Sequence, residues 1–287
     1  MSRFHLNNAK KAKNDEFYTK YEDVENEMYF RKESLRNKAV YCNCDNPDTS
    51  NFYKFFKDNF NTLELKYLTC TFYDEFNNRA YRTDYDGVSE IRQQLTNNDC
   101  YGEFDCPYCL NILKDEADIV ITNPPFSKWR SYIDCLLRYN KDFIILGNNT
   151  AVSYKDIKPL ILSGKIIATR PTLSNHELTT RNVLNFITDE GTEKGVTVTW
   201  YSNLSCNKPL RKIDFFDGDY EYDYYDNYDA IEVDSINRIP NLKNCKIGVP
   251  ITILASYDLG DFKLIDIRGD LILDGYAVFT RAIIERY

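Results

Sequence analysis

A chain of 287 residues, 43% of them apolar, is long enough to bury the core of a large domain, so intrinsic disorder is not the default interpretation. The sequence has no uninterrupted apolar run of about 18 residues, as a membrane-spanning helix requires, and no secretory signal pattern near its start. We therefore expect a cytoplasmic protein without a membrane partner. The nine cysteines are an odd number and are scattered, which favours reduced thiols over a disulfide framework.

Charge is distributed unevenly along the chain. The formal net charge of −8 argues, on average, against a nucleic-acid partner, because phosphate-binding surfaces are usually basic. Residues 214–234, however, hold nine acidic residues and no lysine or arginine. This tyrosine-rich segment could imitate a phosphate backbone, but a solvated loop is the simpler interpretation. Basic residues that could form a local basic surface are Arg3, Lys10, Lys11, Lys13, Lys20, Arg79, Arg82, Lys128, Arg130 and Arg138.

The first half of the chain alternates between helical and β-rich patterns. In chain order, the patterns predict a helix at 15–36, a strand at 38–44, a helix at 51–60, strands at 62–71 and 118–122, a helix at 128–139, a strand at 142–147 and a helix at 155–163. Such alternation predicts an α/β fold whose sheet is mostly parallel and doubly wound.

From about residue 165 onward, the pattern changes to strand-like segments joined by long polar connections. These segments are residues 183–188, 196–201, 249–254 and 276–284. We therefore predict a core region at residues 1–165, and a region at residues 166–287 that completes the core and adds a recognition part.

The segment Asn123-Pro124-Pro125-Phe126 is the strongest indication of a functional site. It directly follows the predicted strand at 118–122, and ligands of doubly wound sheets bind beyond the carboxyl ends of the strands. Two successive prolines hold the backbone extended and remove two amide donors, so the loop can direct side chain and carbonyl oxygens at one ligand. The alternative is an ordinary β-to-α turn.

The oxygen atoms of this loop suit one type of reaction. An amino group conjugated to a nucleobase ring is a poor nucleophile, because its lone pair is delocalised into the ring. The Asn123 side-chain oxygen and the Pro124 carbonyl could accept its two hydrogens and localise the lone pair, while Phe126 stacks on the base. A paired base would have to leave the helical stack to reach this loop.

Other candidate sites have weaker support. Cys106 and Cys109 have the spacing of a metal-binding pair, but a structural zinc site needs four ligands and no second pair with this spacing occurs. His5 and His176 are far apart in the sequence and neither lies beside a nucleophile, so hydrolysis by a Ser-His-Asp triad is not supported. We predict that the protein has no metal site.

Several segments together resemble a known family, the EcoRI-type adenine-specific DNA methyltransferases. Asn-Pro-Pro-Phe is one form of the catalytic motif of amino-methyltransferases, and the similarity covers most of the chain. Further similar segments are residues 15–19 (DEFYT), 40–47 (VYCNCDNP), 102–105 (GEFD), 147–149 (GNN) and 248–252 (GVPIT). The resemblance implies a Rossmann-like methyltransferase fold, S-adenosylmethionine as the methyl donor, and N6 of an adenine in double-stranded DNA as the acceptor.

The resemblance also implies roles for individual residues, with cofactor binding and catalysis in residues 1–165 and target recognition in the second half. The catalytic residues would be Asn123, Pro124, Pro125 and Phe126. S-adenosylmethionine would be bound by Phe17, Tyr18 and Thr19 at its methionine end, by Asp45 at its amino-acid or ribose edge, and by Phe104 and Asp105 at its adenine. The glycine-rich loop of the wider methyltransferase pattern is absent after the first strand, a departure that the EcoRI type shares.

We expect a monomeric enzyme that methylates a short site in duplex DNA, either beside a separate cognate restriction endonuclease or as an orphan. Two other hypotheses stay open. The chain could retain the methyltransferase fold without catalysis, as a DNA-binding or acidic decoy protein. It could instead methylate cytosine N4 or an amino group in RNA, because the same acceptors suit any conjugated amino group.

Overall fold

The computed structural model describes residues 19–74, 79–96, 104–172, 183–187 and 193–287. They belong to two compact units that are interleaved along the chain. The first unit lies within Met1–Gly147 and Pro171–Asn207, and the second within Asn148–Arg170 and Lys208–Tyr287. The functional boundary predicted between residues 165 and 166 stays a prediction.

Short helices and strands alternate in both units. The α-helices are α1 (Tyr21–Tyr29), α2 (Asn51–Asp58), α3 (Pro107–Asn111), α4 (Trp129–Arg138), α5 (Lys158–Leu162) and α6 (Ile253–Ser256). Short 3₁₀ turns lie at Lys32–Ser34, Phe126–Lys128, Asn149–Ser153 and Ile236–Arg238, and a π turn lies at Ile112–Glu116. The strands are β1 (Ala39–Asn43), β2 (Tyr67–Asp74), β3 (Arg79–Tyr85), β4 (Glu90–Gln94), β5 (Ile119–Thr122), β6 (Asp142–Asn148), β7 (Ile167–Thr169), β8 (Val183–Ile187), β9 (Glu193–Ser202), β10 (Ile231–Glu232), β11 (Lys246–Pro250), β12 (Phe262–Arg268), β13 (Ile272–Leu273), β14 (Tyr276–Ala277) and β15 (Arg281–Arg286).

The large sheet of the first unit is parallel in the middle and antiparallel at its edges. Its strand order is β4-β3-β2-β1-β5-β6-β9. Strand β1 pairs in parallel with β2 and β5, and β5 pairs in parallel with β6. Antiparallel strands β3 and β4 extend the β2 edge, and β8 pairs antiparallel with β9. The predicted α/β fold is confirmed, and its sheet is mixed: the predicted parallel pairing occurs at the centre, with antiparallel strands toward the edges.

The strands at the centre of this sheet are buried along their whole length. Every residue of β1 and of β5 is buried, as expected of parallel strands that are covered on both faces. Helix α2 begins after Ser50, whose side-chain oxygen accepts hydrogen bonds from the backbone amides of Phe52 and Tyr53. The Phe52 ring then packs edge-on against Trp200, with 6.0 Å between the ring centroids.

Several predicted boundaries were wrong, for reasons that lie in the tertiary structure. The predicted strand at 62–71 begins only at Tyr67, because a hydrogen-bonded turn continues to Leu65 after α2 ends. The predicted helix at 15–36 is the shorter α1 within the described residues. The predicted strand at 249–254 is the end of β11 followed by α6, and the one at 276–284 is divided between β14 and β15.

Strands β3 and β4 were not predicted. All residues of β4 are exposed, so the segment lacks the alternation of apolar and polar residues by which a strand is recognised. Its pairing depends instead on the open edge that β3 offers, and that edge exists only once the sheet has formed.

Helix α4 is attached to β6 through one tryptophan. The Trp129 indole Nε1 donates a hydrogen bond to the Leu146 carbonyl (2.8 Å), and its ring packs edge-on against Tyr201 at 4.9 Å. Gly147 lies against this ring, since a Cβ atom at that position would come within 2.6 Å of the Trp129 Cε2 atom. The helix that follows the Asn-Pro-Pro-Phe segment therefore depends on a glycine in β6.

Replacing Gly147 by alanine is expected to lower the free energy of unfolding by about 1–3 kcal/mol, because the new methyl group must displace a buried ring. Chemical denaturation followed by tryptophan fluorescence would measure this loss. Gly269→Ala is the matched control, because Gly269 is exposed and an added Cβ would approach nothing closer than 3.3 Å. Equal stability of the two variants would contradict the packing argument.

The second unit contains a smaller sheet with the strand order β10-β11-β15-β12. Its core is formed by Ile247, Val249, Phe262, Ala282 and Ile284 together with their neighbours.

Most carboxylates of the acidic segment 214–234 are exposed, in agreement with the solvated-loop interpretation.

The acidic segment is nevertheless anchored in the second unit. Its Tyr225 is buried, and the Tyr225 hydroxyl donates a hydrogen bond to Glu232. Glu232 also forms an ion pair with Arg281 (2.6 Å). Across the described ranges, no helix is long and apolar enough to cross a membrane.

Candidate active site

The carboxyl ends of β1 and β5 form one edge of the site. Because these strands are parallel neighbours, with Tyr41 opposite Val120, the segments that leave them emerge side by side. After β1, Cys44 adopts a left-handed conformation (φ 69°) that turns the chain sharply toward Asp45. After β5, the chain enters the segment that begins at Asn123.

A hydrogen-bond network joins the two segments. The Thr122 hydroxyl lies 2.6 Å from Asp45 Oδ2 and 2.7 Å from the Asn43 carbonyl oxygen. The Ser50 hydroxyl donates to Asp45 Oδ1 at 2.5 Å while it caps α2. Asp45 is therefore held by the last residue of β5 on one side and by the start of a helix on the other.

The number of hydrogens in this network suits a protonated Asp45, the form that predominates below about pH 6. A hydroxyl carries one hydrogen, yet Thr122 is close to two acceptors. If Asp45 holds a proton, it donates to Thr122 and Thr122 donates to the Asn43 carbonyl. Burial raises the pKa of Asp45 to about 6, although the hydrogen bonds that Ser50 and Thr122 can donate to the ionised carboxylate lower it.

The Asn-Pro-Pro-Phe segment is a short extended loop that leads into a helix. Pro124 is buried, whereas Asn123, Pro125 and Phe126 are half-buried. Pro125 has extended backbone angles (φ −56°, ψ 123°), and its carbonyl accepts a hydrogen bond from the Lys128 amide (3.0 Å) within the 3₁₀ turn before α4. The Phe126 ring packs partly against the core, which leaves part of it accessible.

The predicted cofactor residues differ in how deeply they are buried. Thr19 is buried, and its carbonyl accepts a hydrogen bond from Asn51 at the start of α2 (2.9 Å). Phe104 is buried and packs against Tyr132 of α4, whereas Asp105 is exposed. Phe17 and Tyr18 lie outside the described residues.

The cysteines near this edge are not nucleophiles. Burial, and then the charge of Asp45, raise the pKa of Cys42 and of Cys44 well above its ordinary value, so both are protonated thiols. Cys106 is disulfide-bonded, which corrects the expectation that all cysteines are reduced. Within the described ranges, no group of three or more His, Cys, Asp or Glu side chains could hold a metal ion.

Three residues of the candidate site were not identified from the sequence. Ser50 precedes a helix, and a search for N-caps could have found it. Thr122 ends a buried strand, but no local pattern indicates that its hydroxyl reaches Asp45, 77 positions away. Tyr132 occupies an apolar helix position, where a tyrosine looks like an ordinary core residue.

Comparisons with known proteins identify the family. The family model described as adenine-specific methyltransferase EcoRI matches residues 5–283. The type II methyltransferase M.MgeORF184P of Mycoplasma genitalium is 37% identical, with 91% of this chain and 86% of that protein covered. The type II methyltransferase M.EcoRI of Escherichia coli is 35% identical, with 98% and 95% covered. The type II methyltransferase M.MpnI of Mycoplasma pneumoniae is 33% identical, with 91% and 85% covered.

No solved structure gives a significant match to the chain. The sequence matches extend over nearly all of it and include both the Asn-Pro-Pro-Phe segment and the segment around Asp45. The chain therefore belongs to the EcoRI family of adenine-specific methyltransferases.

Proposed function

We propose that this enzyme transfers the methyl group of S-adenosylmethionine to N6 of an adenine that has swung out of double-stranded DNA. The observation that carries the proposal is the hydrogen bond between Thr122 and Asp45. This bond joins Asp45, which we expect to bind the methyl donor, to the last residue of the strand that leads into Asn123 to Phe126, where we expect the acceptor base to bind. We further propose that the parallel centre of the sheet belongs to a Rossmann-like methyltransferase fold.

The side chains at this edge fit S-adenosylmethionine. The cofactor supplies a methyl group activated on a sulfonium centre, together with an ammonium group and ribose hydroxyls. Asp45 is a buried carboxyl that could accept hydrogen bonds from the ammonium or ribose groups. The Thr19 hydroxyl is buried and makes no hydrogen bond within the described part of the chain, so it can serve a ligand. Phe104 and Asp105 would hold the adenine of the cofactor.

The catalytic loop would act on the target adenine. The Asn123 side-chain oxygen and the Pro124 carbonyl accept hydrogen bonds from the N6 hydrogens, which shifts the lone pair of the nitrogen out of the ring. The half-buried Phe126 stacks on the base and holds it in position. Extrusion of the base from the duplex is required, because N6 is otherwise paired within the stack.

Duplex DNA would be held by basic side chains around the loop. Lys128 and Arg130 are both exposed directly after Phe126, at the place where the backbone phosphates beside an extruded adenine would pass. Recognition of the base sequence would lie in residues 166–287. We further propose that the enzyme acts as a monomer on one short site, as the modification partner of a separate restriction endonuclease.

The test is the transfer of labelled methyl groups from S-adenosylmethionine to unmethylated plasmid DNA, followed by digestion to nucleosides. The expected product is N6-methyladenine, and sequencing of methylated positions would then show the recognised site. N4-methylcytosine, or label in RNA alone, would overturn the acceptor assignment. The non-catalytic alternative would be favoured if the protein binds S-adenosylmethionine but transfers no methyl group to plasmids that contain many different short sites.

A further inference from the structure

Tyr132 lies in the first turn of α4, the helix that follows the Asn-Pro-Pro-Phe segment. Its side chain is buried, with 1% of the residue exposed. Its ring packs edge-on against Phe104, with 4.8 Å between the centroids and an interplanar angle of 65°. One of the expected cofactor residues therefore rests directly on this tyrosine.

The Tyr132 hydroxyl makes no hydrogen bond within the described part of the chain. A buried hydroxyl without a partner destabilises the folded protein, because it has lost its hydrogen bonds to water. Burial raises the pKa of Tyr132 well above its ordinary value, so the hydroxyl keeps its proton.

Two tyrosines that are buried to a similar degree have partners for their hydroxyls. Tyr41 is bonded to Thr71 (2.7 Å), and Tyr53 donates to Glu90 (2.9 Å). Phenylalanine at position 132 would fill the same volume and make the same ring contact without leaving an oxygen unsatisfied. The described part of the chain thus supplies no partner that would offset the cost of burying this hydroxyl.

We infer that the Tyr132 hydroxyl binds the adenosine part of the methyl donor by a hydrogen bond. The ring position selects this part, because Phe104 is expected to stack on the cofactor adenine and Asp45 to lie at its amino-acid or ribose edge. The inference rests on the proposed function and adds a binding residue to it. A tyrosine hydroxyl can both donate to and accept from adenine nitrogens or ribose hydroxyls.

The test compares wild type with Tyr132→Phe in two measurements on the full chain. Calorimetric titration without DNA should show about tenfold weaker binding of both S-adenosylhomocysteine and methylthioadenosine, the loss expected for one hydrogen bond in a buried site. Thermal unfolding of the ligand-free variant should occur at the same temperature or about 2–4 °C higher, because an unsatisfied hydroxyl has been removed.

The matched control is Tyr225→Phe in the second unit, where the hydroxyl is bonded to Glu232. This control should unfold at a lower temperature and bind both ligands as wild type does. Unchanged affinity of Tyr132→Phe for both ligands would overturn the inference, and so would a loss confined to S-adenosylhomocysteine, which would assign the hydroxyl to the amino-acid end. A fall in unfolding temperature equal to that of the control would also overturn it. Failure of wild type to bind S-adenosylhomocysteine would count against the proposed function itself.

Discussion

Replacing Asn123 by alanine is expected to lower the rate of methyl transfer by about 10²–10³-fold, as does the removal of one preorganised hydrogen-bonding group from other active sites. The side-chain oxygen would no longer draw a hydrogen from the amino group, so the lone pair would stay delocalised in the ring. Single-turnover transfer of labelled methyl groups to DNA would measure the loss. Cofactor affinity should change little, because we propose that Asn123 contacts the acceptor base and not the cofactor.

Asn203→Ala separates the loss of catalysis from the loss of structure. The Asn203 side chain accepts a hydrogen bond from the Phe143 amide (2.9 Å) and donates one to the Lys141 carbonyl (3.0 Å). These contacts lie at the opposite end of β6 from the site, so this control should lose stability and retain turnover in its folded fraction. If Asn123→Ala unfolds as readily as the control, the residue belongs to the structural framework.

Replacing Asp45 by asparagine is expected to stabilise the ligand-free protein by about 2–3 kcal/mol at pH 8 and to weaken cofactor binding at least tenfold. Burial raises the pKa of Asp45 from 3.8 to about 6, so the folded protein holds its proton more tightly than the unfolded chain does. The stabilisation from this proton is complete below pH 4 and is lost as the pH rises through 6. An asparagine amide donates to Thr122 at every pH, as the protonated carboxyl does.

Denaturation at pH 5 and pH 8 measures this effect, with titration of the ligand as the second readout. Burial also raises the pKa of Asp23 to about 6, so part of the pH dependence should persist in Asp45→Asn. Asp48→Asn is the control from the same loop, because the ion pair with Arg92 lowers the pKa of Asp48 and gives the opposite trend with pH. A variant less stable than wild type at pH 8 would refute the protonated network.

Both predictions concern residues whose role the sequence indicated. It did not indicate their burial, hydrogen-bond partners or protonation. Asn123 stands in a contiguous motif after an apolar strand, and its position at the sheet edge followed from that pattern. For Asp45 the resemblance indicated the cofactor edge. The burial of this carboxyl, its two hydroxyl partners and its raised pKa came only from the folded structure.

Features that depend on neighbouring residues could be predicted from the amino-acid sequence. The apolar runs of β1, β5 and β6, the turn chemistry between them and the two prolines act over a few positions, so the parallel centre of the sheet and the extended Asn-Pro-Pro-Phe loop after β5 were predictable. The tertiary structure decided what depends on distant residues meeting: the contact between Thr122 and Asp45, the β3–β4 edge, the interleaving of the two units and the buried hydroxyl of Tyr132. The residues around a side chain in the sequence do not indicate which hydrogen-bond partner it meets in the folded protein, or whether it meets one. Burial and hydrogen bonding are properties of the packed chain.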